Sequence, residues 1–470
     1  MDNNYSAVLS RKSEIMRKSM GIDYNEFTIS PVAFDYEKMM EKAGYPLDEI
    51  FRIQRETKVA DTPLFELKNL TSMVRRNSNK GYGARIFLKD EAANASGSFK
   101  DRRASVSIFE AQKKGYQGVI AATSGNYGAA VASQAAQRGL KCIIVQEVYD
   151  SRKTGQPEIL EKARKCEAYG AEVLQMSVGP ELFYYLLMTL EDTGFFNASL
   201  YTPFGIAGVE TLGFELAEQV RKIAGQDPDC VMVTHAGGGN VTGTARGLQK
   251  AGADKTKVLG VSVDLSGLHM ASDRDFNRKS FTTGHTGFGI PFATWPDRVD
   301  VPRNAARPLR YLDGYYLVTQ GEVFYTTQLL ALLEGLERGP AGNTSLTAAI
   351  SLARKLPQDK IIAVQETEYT GAGKHPFAQL TFARENGVTV RRGNPIENKP
   401  GIEIVIPENI NQIEATEYSM DELKYSYLKN VTKNFPDHKL AEKDFEFLAQ
   451  DLKMEIAAVK EKLNLLKVKG

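Results

Sequence analysis

The sequence has few cysteines and no arrangement of them that suggests a metal or disulfide site. Only three occur among 470 residues, Cys142, Cys166 and Cys230, and their spacing fits neither a metal-binding nor a redox motif. Cys142 and Cys230 stand inside apolar runs typical of strands, so we interpret them as small core residues rather than nucleophiles. The expected compartment is reducing.

Long apolar runs and an excess of one charge are also missing. No run approaches the length of a membrane-spanning helix, and residues 1–20 are polar with scattered charges, unlike a secretion signal. The 59 basic residues nearly balance the 58 acidic ones, giving a net charge of +1 and no long-range field for nucleic acid or an acidic membrane. We therefore expect a cytoplasmic protein that acts on small molecules.

What is present from about residue 61 onward is a regular alternation of short apolar strands with amphipathic helices. This pattern is typical of a parallel α/β sheet. A chain of 470 residues with 42% hydrophobic content can bury a large core and form at least two domains. Strands are predicted at 84–89, 118–122, 140–146, 171–176, 229–234, 257–263, 314–319, 360–365 and 387–391.

The stretch before the first long helical pattern contains a lysine in an unfavourable place. Ser96 and Ser98 are good N-cap residues, and Lys100 then falls in the first helical turn, where the helix dipole disfavours a cation. Because loss of a proton relieves this clash, Lys100 is a candidate for the kind of lysine that forms an imine. The alternative is a solvated surface lysine.

Two further strand-to-helix junctions suit anions. The turn Thr123–Asn126 directs backbone N–H groups in a way that suits a carboxylate, although a simple helix cap is the alternative. The glycines of Gly237–Asn240 let the backbone wrap a phosphate at a helix N-terminus without any lysine. His235, just before them, either reaches this site or is a structural histidine.

These three segments, in this order, resemble the fold-type II, pyridoxal phosphate (PLP) enzymes on the threonine synthase side, over roughly residues 60–395. The resemblance implies a tryptophan synthase beta-like α/β fold, with two parallel-sheet domains and the cofactor in the cleft between them. It implies that the catalytic lysine is Lys100, and that the cofactor is held by Lys100, Asn126, Gly237, Gly238, Gly239, Asn240 and Thr367. The substrate carboxylate is assigned to Thr123, Ser124, Gly125 and Asn126.

The choice of Thr367 rests on its place after the predicted strand 360–365, where a partner for the pyridine nitrogen is needed. Glu368 is the alternative, and it would set a different electronic character of the ring. The domains are expected to be an N-terminal extension (1–60), a larger PLP-binding domain (61–95 and 205–395), a smaller substrate-loop domain (96–204) and a C-terminal helical extension (396–470).

Two departures from the threonine synthase pattern bear on the reaction. Arg103 stands where that side of the family usually has glycine, and both ends of the chain are longer than the shared core requires. With residues 91–94, these features are most similar to the large subunits of two-subunit, PLP-dependent amino-keto acid thiolases of ornithine fermentation. That resemblance implies cleavage of 2-amino-4-oxopentanoate by coenzyme A to acetyl-CoA and alanine, with a small second subunit in a hetero-oligomer built on a dimer.

Alternatives stay open at this point. The chain could be a threonine synthase-like lyase or replacement enzyme, or a catalytically silent scaffold that keeps the fold for a partner. The polar insertion 264–313 is either a solvated flap or a lid whose basic residues contact a phosphate-bearing second substrate. The apolar stripe within 440–466 packs either on its own chain or on a partner chain.

Overall fold

The computed structural model describes residues 4–123, 125–179, 181–267, 273–282, 300–369 and 376–469. The helices of this part of the chain are α1 Tyr5–Ser10, α2 Lys12–Met20, α3 Tyr36–Ala43, α4 Leu47–Arg55, α5 Lys68–Arg76, α6 Lys100–Lys113, α7 Asn126–Arg138, α8 Pro157–Ala168, α9 Glu181–Thr193, α10 Pro203–Ala224, α11 Gly239–Lys250, α12 Gln320–Glu334, α13 Asn343–Ala353, α14 Pro376–Glu385, α15 Met420–Asn434, α16 Glu442–Leu452 and α17 Ile456–Lys469.

The strands form two main sheets and one small pair. They are β1 Leu64–Glu66, β2 Arg85–Asp90, β3 Gly118–Thr123, β4 Lys141–Tyr149, β5 Glu172–Ser177, β6 Phe196–Asn197, β7 Cys230–Thr234, β8 Lys257–Val263, β9 Gly314–Val318, β10 Ile361–Glu366, β11 Thr389–Arg392, β12 Glu403–Ile406 and β13 Thr416–Glu417.

The larger sheet has seven strands in the order β1-β2-β10-β7-β8-β9-β13, and the smaller has four in the order β5-β4-β3-β6. All neighbours are parallel except the two edge strands of the larger sheet, β1 and β13, which pair antiparallel. The predicted α/β class with two parallel sheets is therefore confirmed. Because the carboxyl ends of parallel strands collect at one edge of a sheet, this topology fixes where a site can form.

All nine predicted strands are present, with their ends moved by a few residues. The sequence prediction missed β1, β6, β12 and β13, which have two to four residues each. Strands this short carry little periodic signal, so the sheet around them decides their conformation. β12 and β13 lie after residue 396, so the C-terminal segment contributes strands as well as three helices.

The N-terminal segment is part of the core. Val8, Met16 and Met20 are fully buried, and α1 and α2 pack on α9. The side chain of Gln54, on α4, is buried and donates to the carbonyl of Gly208 on α10 at 2.7 Å and to that of Arg102 on α6 at 3.1 Å. This segment therefore braces two helices that flank the sheets.

The apolar stripe of the C-terminal helices is covered by this chain. Leu448, Leu452, Val459 and Leu463 are all buried against the interior, and Lys453, in a left-handed conformation (φ +50°), ends α16 and lets α17 turn back. The expectation that this stripe packs on its own chain is confirmed. Leu448, Leu452, Val459 and Leu463 therefore offer no surface to a partner, while Phe445 and Ile456 are half-buried.

The cysteines behave as core residues, as predicted. All three thiols are buried, and burial raises the pKa of Cys166 and of Cys230 to about 12 in each case. Such thiols are poor nucleophiles, because the reactive thiolate is disfavoured. Among the described residues, we find no helix that combines the length and the apolar character needed to cross a bilayer.

Candidate active site

A cavity of about 240 Å³ opens where the two sheets face each other. Its wall contains Thr123 at the end of β3, Thr234 at the end of β7 and Thr367 just after β10, together with the first turn of α6. Strand ends from both sheets thus meet at one place, as the position of ligand sites in α/β proteins predicts. The cavity brings together every predicted site residue that the structure describes; Ser124 lies outside the described residues.

Lys100 is the first residue of α6 and lines this cavity, with Nζ 4.7 Å from the centre of the Phe99 ring. The predicted serine caps are wrong, because Phe99 occupies the N-cap position and makes no side-chain cap. Tertiary pairing replaces them: Phe99 N–H donates to the carbonyl of Thr367 at 3.0 Å, and Tyr369 N–H donates to that of Gly97 at 2.8 Å. The loop before Lys100 is therefore held by the segment that follows β10.

Asp101 fixes the same loop from the other side. Its carboxylate accepts the Ser96 N–H at 2.6 Å, while the side chain is fully buried. Burial raises the pKa of Asp101 to about 7, and the hydrogen bond from Ser96 opposes that rise. Gly97, at φ +83°, supplies the left-handed residue that the tight turn needs. Lys100 is thus presented from a rigid support.

The glycine loop forms a cradle for an anion. Gly238 is left-handed at φ +84° and caps the 12-residue helix α11, so the first N–H groups of that helix face the cavity. A Cβ added at Gly237 would overlap the Tyr201 hydroxyl, and one added at Gly239 would overlap the Arg103 guanidinium. The Asn240 amide nitrogen is buried and has no hydrogen-bond partner within the described part of the chain. These spare donors and the open cradle fit the phosphate of PLP.

The second loop lies across the cavity from the cradle. Thr123, Gly125 and Asn126 all line the cavity, and Asn126 begins the 13-residue helix α7. The Thr123 hydroxyl accepts the Gly125 N–H at 3.2 Å, which holds the turn closed. A carboxylate could bind at this helix N-terminus without any cationic side chain.

Thr367 and Glu368 both line the cavity and both are buried, so the structure brings the two alternative partners of the pyridine nitrogen to the same wall. Glu366, just before them, is also buried. Burial, reinforced by the nearby Glu368 and Asp90, raises the pKa of Glu366 well above its ordinary value, although Arg338 and a backbone hydrogen bond at Glu368 oppose the rise.

His235 does not line the cavity among the residues that the structure describes there, and its structural interpretation is confirmed. Its Nδ1 lies 2.6 Å from the Tyr315 hydroxyl, and burial lowers the pKa of the imidazole to about 3. The ring is thus a neutral core group.

The described parts of the insertion 264–313 contribute wall rather than a basic lid. Phe276, Ser280 and Thr282 line the cavity. The basic side chains pair elsewhere: Arg278 with Asp150 at 2.6 Å, Lys279 with Asp273 at 2.7 Å and Arg310 with Asp451 at 2.8 Å. His269, His285 and Trp295 lie outside the described residues. The structure therefore gives no support to phosphate contacts from these three basic residues.

Sequence reasoning missed several cavity residues. Arg103, Tyr127, Glu147, Glu158, Leu182, Tyr201 and Asp300 also line the wall. Arg103 was noticeable as a departure from the family pattern, but nothing in the sequence indicated where its side chain points. The acidic residues lie in segments without a recognisable motif, so only the fold brings them to the cavity.

Comparison with known proteins agrees with this architecture. A family model described as "Pyridoxal-phosphate dependent enzyme" matches residues 56–367. A protein named "2-amino-4-ketopentanoate thiolase beta subunit", from an unspecified prokaryote, is 66% identical over 97% of this chain and 96% of its own length. One of the same name from Acetoanaerobium sticklandii is 61% identical over 99% of each chain. A solved threonine deaminase from T.th. is 27% identical, with a TM-score of 0.52 over 69% of this chain and 98% of its own.

These matches confirm the predicted fold-type II architecture and the PLP cofactor. The family model spans more than half of the chain, and the two thiolase subunits match it from end to end. The chain therefore belongs to the pyridoxal-phosphate dependent enzyme family.

Proposed function

We propose that this chain is the catalytic subunit of an enzyme that cleaves 2-amino-4-oxopentanoate with coenzyme A to acetyl-CoA and alanine. The observation that carries the proposal is the similarity to the two thiolase subunits, which covers 97% and 99% of the chain and so extends beyond the region 56–367 that the family model matches. The relatives' names imply another subunit. The proposal therefore includes a small second subunit, in a hetero-oligomer built on a dimer of this chain.

The residues around the cavity divide into groups with different tasks. Lys100 would hold the cofactor's aldehyde, Gly237, Gly238, Gly239 and Asn240 its phosphate, Asn126 its phenolic oxygen and Thr367 its pyridine nitrogen. When bound, PLP acts as a sink for the electrons released at the substrate's Cα and Cβ. Thr123, Ser124, Gly125 and Asn126 would take the substrate carboxylate, and so orient Cα toward Lys100.

Lys100 is the proposed general base. Its amine, once released to act in the cavity, takes the Cα proton, exchanges protons with solvent and later delivers a proton to Cα, a role that needs one movable donor next to Cα. The thiol of coenzyme A forms a bond to the C4 carbonyl carbon, and the bond between C3 and C4 breaks. The electron pair of that bond stays with the C3 fragment, whose carbon takes up a proton and becomes the methyl group of alanine.

This scheme needs no nucleophile from the protein. None of the three cysteines is among the described residues of the cavity wall, and all are buried. The acetyl group therefore passes directly from the substrate to coenzyme A.

The substrate and the partner can be tested together. The purified chain, with and without the small subunit, is given either 2-amino-4-oxopentanoate with coenzyme A or O-phosphohomoserine, and acetyl-CoA, alanine and threonine are measured. We expect acetyl-CoA and alanine from the first mixture, slowly from the lone chain and fast after the small subunit is added. Threonine from O-phosphohomoserine, without acetyl-CoA from the first mixture, would replace the proposal by a threonine synthase-like reaction.

Full thiolytic activity of the lone chain, together with purification from its source without a second polypeptide, would remove the partner from the proposal but leave the reaction intact. Lys100→Ala serves as the control in every mixture, since it leaves the rest of the wall unchanged.

A further inference from the structure

Arg103 is a buried cation whose guanidinium is not satisfied within the described part of the chain. The residue is 2% exposed, and its Nε and Nη2 atoms are buried without a hydrogen-bond partner. An arginine stays charged in proteins and offers five N–H donors in a fixed plane. A buried charge is disfavoured unless it is paired, so this arrangement calls for an anion that binds from outside the chain.

The side chain points at the glycine loop. Arg103 follows Lys100 by three residues on α6, so the two side chains share one face of the helix, and both line the cavity. A Cβ at Gly239 would overlap Arg103 Nη2, which places the guanidinium against the first residue of α11. The guanidinium therefore occupies the space that a side chain at position 239 would need.

The groups next to Arg103 do not neutralise it. Its electrostatic neighbours are the hydroxyls of Tyr127 and Tyr201 and the Phe99 ring, whose centre is 5.9 Å from the guanidinium carbon, and none of these is a carboxylate. Among the described residues, the salt bridges of the cavity region do not include Arg103. Arg102, the preceding residue, shows that this interior can satisfy a guanidinium when acidic partners are in reach: it pairs with Glu91 and Glu215.

We infer that Arg103 is a cofactor-binding residue that donates to the phosphate of PLP at the glycine loop. The backbone N–H groups of a helix N-terminus carry only a partial positive charge, whereas the phosphate of PLP approaches a dianion. A guanidinium beside the same loop supplies the remaining charge through charge-assisted hydrogen bonds. The inference rests on the proposed placement of the phosphate at Gly237–Asn240.

The pairing has consequences for the protein without cofactor. The apoprotein holds an uncompensated charge, so replacing Arg103 by the apolar Met should not destabilise it. Arg103→Met should instead lose affinity for a ligand that carries a phosphate. The affinity for pyridoxal, which lacks the phosphate, should not change with the substitution. Coenzyme A, which carries other phosphates, is the second possible source of the anion.

The test uses Arg103→Met and Arg103→Lys in the full chain. The Kd values of PLP and pyridoxal for the apoprotein are measured by equilibrium dialysis, the melting temperature of the apoprotein is recorded, and the ³¹P resonance of bound PLP is compared between variants. We expect the PLP Kd of Arg103→Met to rise roughly tenfold or more, with a shifted ³¹P resonance. The pyridoxal Kd should stay at its wild-type value, and the melting temperature of the apoprotein should not fall below that of the wild type. The PLP Kd of Arg103→Lys should lie between those of the wild type and Arg103→Met.

Gly239→Ala is the matched variant on the other side of the contact, because its Cβ would displace the guanidinium. If Gly239→Ala leaves PLP binding unchanged, the phosphate lies elsewhere. Both the placement of the phosphate at Gly237–Asn240 and the inference about Arg103 would then be wrong. If Gly239→Ala weakens PLP binding while Arg103→Met does not, only the inference about Arg103 is wrong.

Four other results would overturn the inference about Arg103. Equal losses for PLP and pyridoxal, or a lower melting temperature of the Arg103→Met apoprotein, would make the arginine structural. A weaker Kd of coenzyme A for the holoenzyme with unchanged PLP binding would assign the guanidinium to the second substrate. Should Arg103→Met not fold, an unchanged PLP Kd and ³¹P resonance in Arg103→Lys would contradict the inference.

Discussion

Arg102 and Arg103 are adjacent, identical and both buried, yet they lie in opposite environments. Arg102 donates to Glu91 at 2.7 Å and to Glu215 at 2.9 Å, and further donates to Thr62 and Thr211. The Nε and Nη2 atoms of Arg103 have no hydrogen-bond partner among the residues that the structure describes, and the residue lines the cavity. One arginine is therefore part of the framework, and the other is positioned for a ligand.

This difference shows that burial alone does not distinguish a structural charge from a functional one. Buried polar groups are normally paired, so a group that lacks a partner requires its own explanation. On α6 the explanation follows the helix faces. Arg102 points toward a network that also includes Lys89, while Lys100 and Arg103 point into the cavity. The following substitutions test this division.

The largest effect is expected on the cavity face. Lys100→Ala should lower turnover by about 10⁴-fold or more, because the chain loses both the attachment of the cofactor and the proposed general base. PLP should then bind only reversibly, and borohydride should no longer trap a covalent link. Product formation and mass spectrometry after reduction check this. Lys113→Ala, an exposed lysine at the other end of α6, is the control; full turnover of Lys100→Ala would remove the lysine from the mechanism.

The framework face should respond in stability instead. Arg102→Met leaves Glu91 buried without its cation and Glu215 with Lys89 as its remaining cation, and we expect the free energy of unfolding to fall by about 3–5 kcal/mol. Denaturant unfolding of the apoprotein measures it, with Arg103→Met as the matched control on the next residue. Equal losses of unfolding free energy in the two variants would contradict the proposed difference between Arg102 and Arg103.

The network should also make stability depend on pH. Burial alone would raise the pKa of Glu215, but the charges of Arg102 and Lys89 outweigh it and lower that pKa to about 2 from 4.5. As pH falls, the unfolded chain therefore takes up this proton first. The stabilisation is complete above pH 4.5 and is lost as pH falls toward 2, in total about 3 kcal/mol. Between these pH values, the free energy of unfolding should depend less on pH in Glu215→Gln than in the wild type. An unchanged pH dependence would mean that Glu215 is not the titrating group.

The smallest effects concern the cofactor ring. Thr367→Val and Asn126→Ala should retain PLP and lose roughly tenfold in kcat, the loss expected from removing one hydrogen bond. Glu368→Gln is the control, since it keeps the size of the neighbouring side chain. A larger loss in Glu368→Gln than in Thr367→Val would move the pyridine contact by one residue.

Much of the framework could be predicted from the sequence, because its signals are local. The nine longer strands are apolar runs bounded by turn residues, and the loops around Lys100, Gly125 and Gly238 follow strands directly. Each of these features needs only neighbouring residues to be recognised. The domain boundaries and the roles of individual site residues stay predictions.

The rest depends on contacts between distant segments. Ser96 and Ser98 looked like helix caps, but the backbone of Thr367 and Tyr369 holds their loop instead. The stripe near Leu452 looked free for a partner until its packing on the same chain was seen. Likewise, the sequence marks Arg103 as a departure from the family pattern, but only the fold decides that Arg102 meets carboxylates and that Arg103 faces the cavity.

The central claim is that this cavity breaks a carbon–carbon bond and transfers an acetyl group to coenzyme A. It is tested most directly by running the reaction of the chain and its small subunit in D₂O and analysing both products by mass spectrometry and NMR. The account predicts equal amounts of acetyl-CoA and alanine, with deuterium at Cα and one new deuterium in the alanine methyl group, and neither product with Lys100→Ala. Alanine without deuterium in its methyl group, or consumption of the substrate without acetyl-CoA, would contradict it.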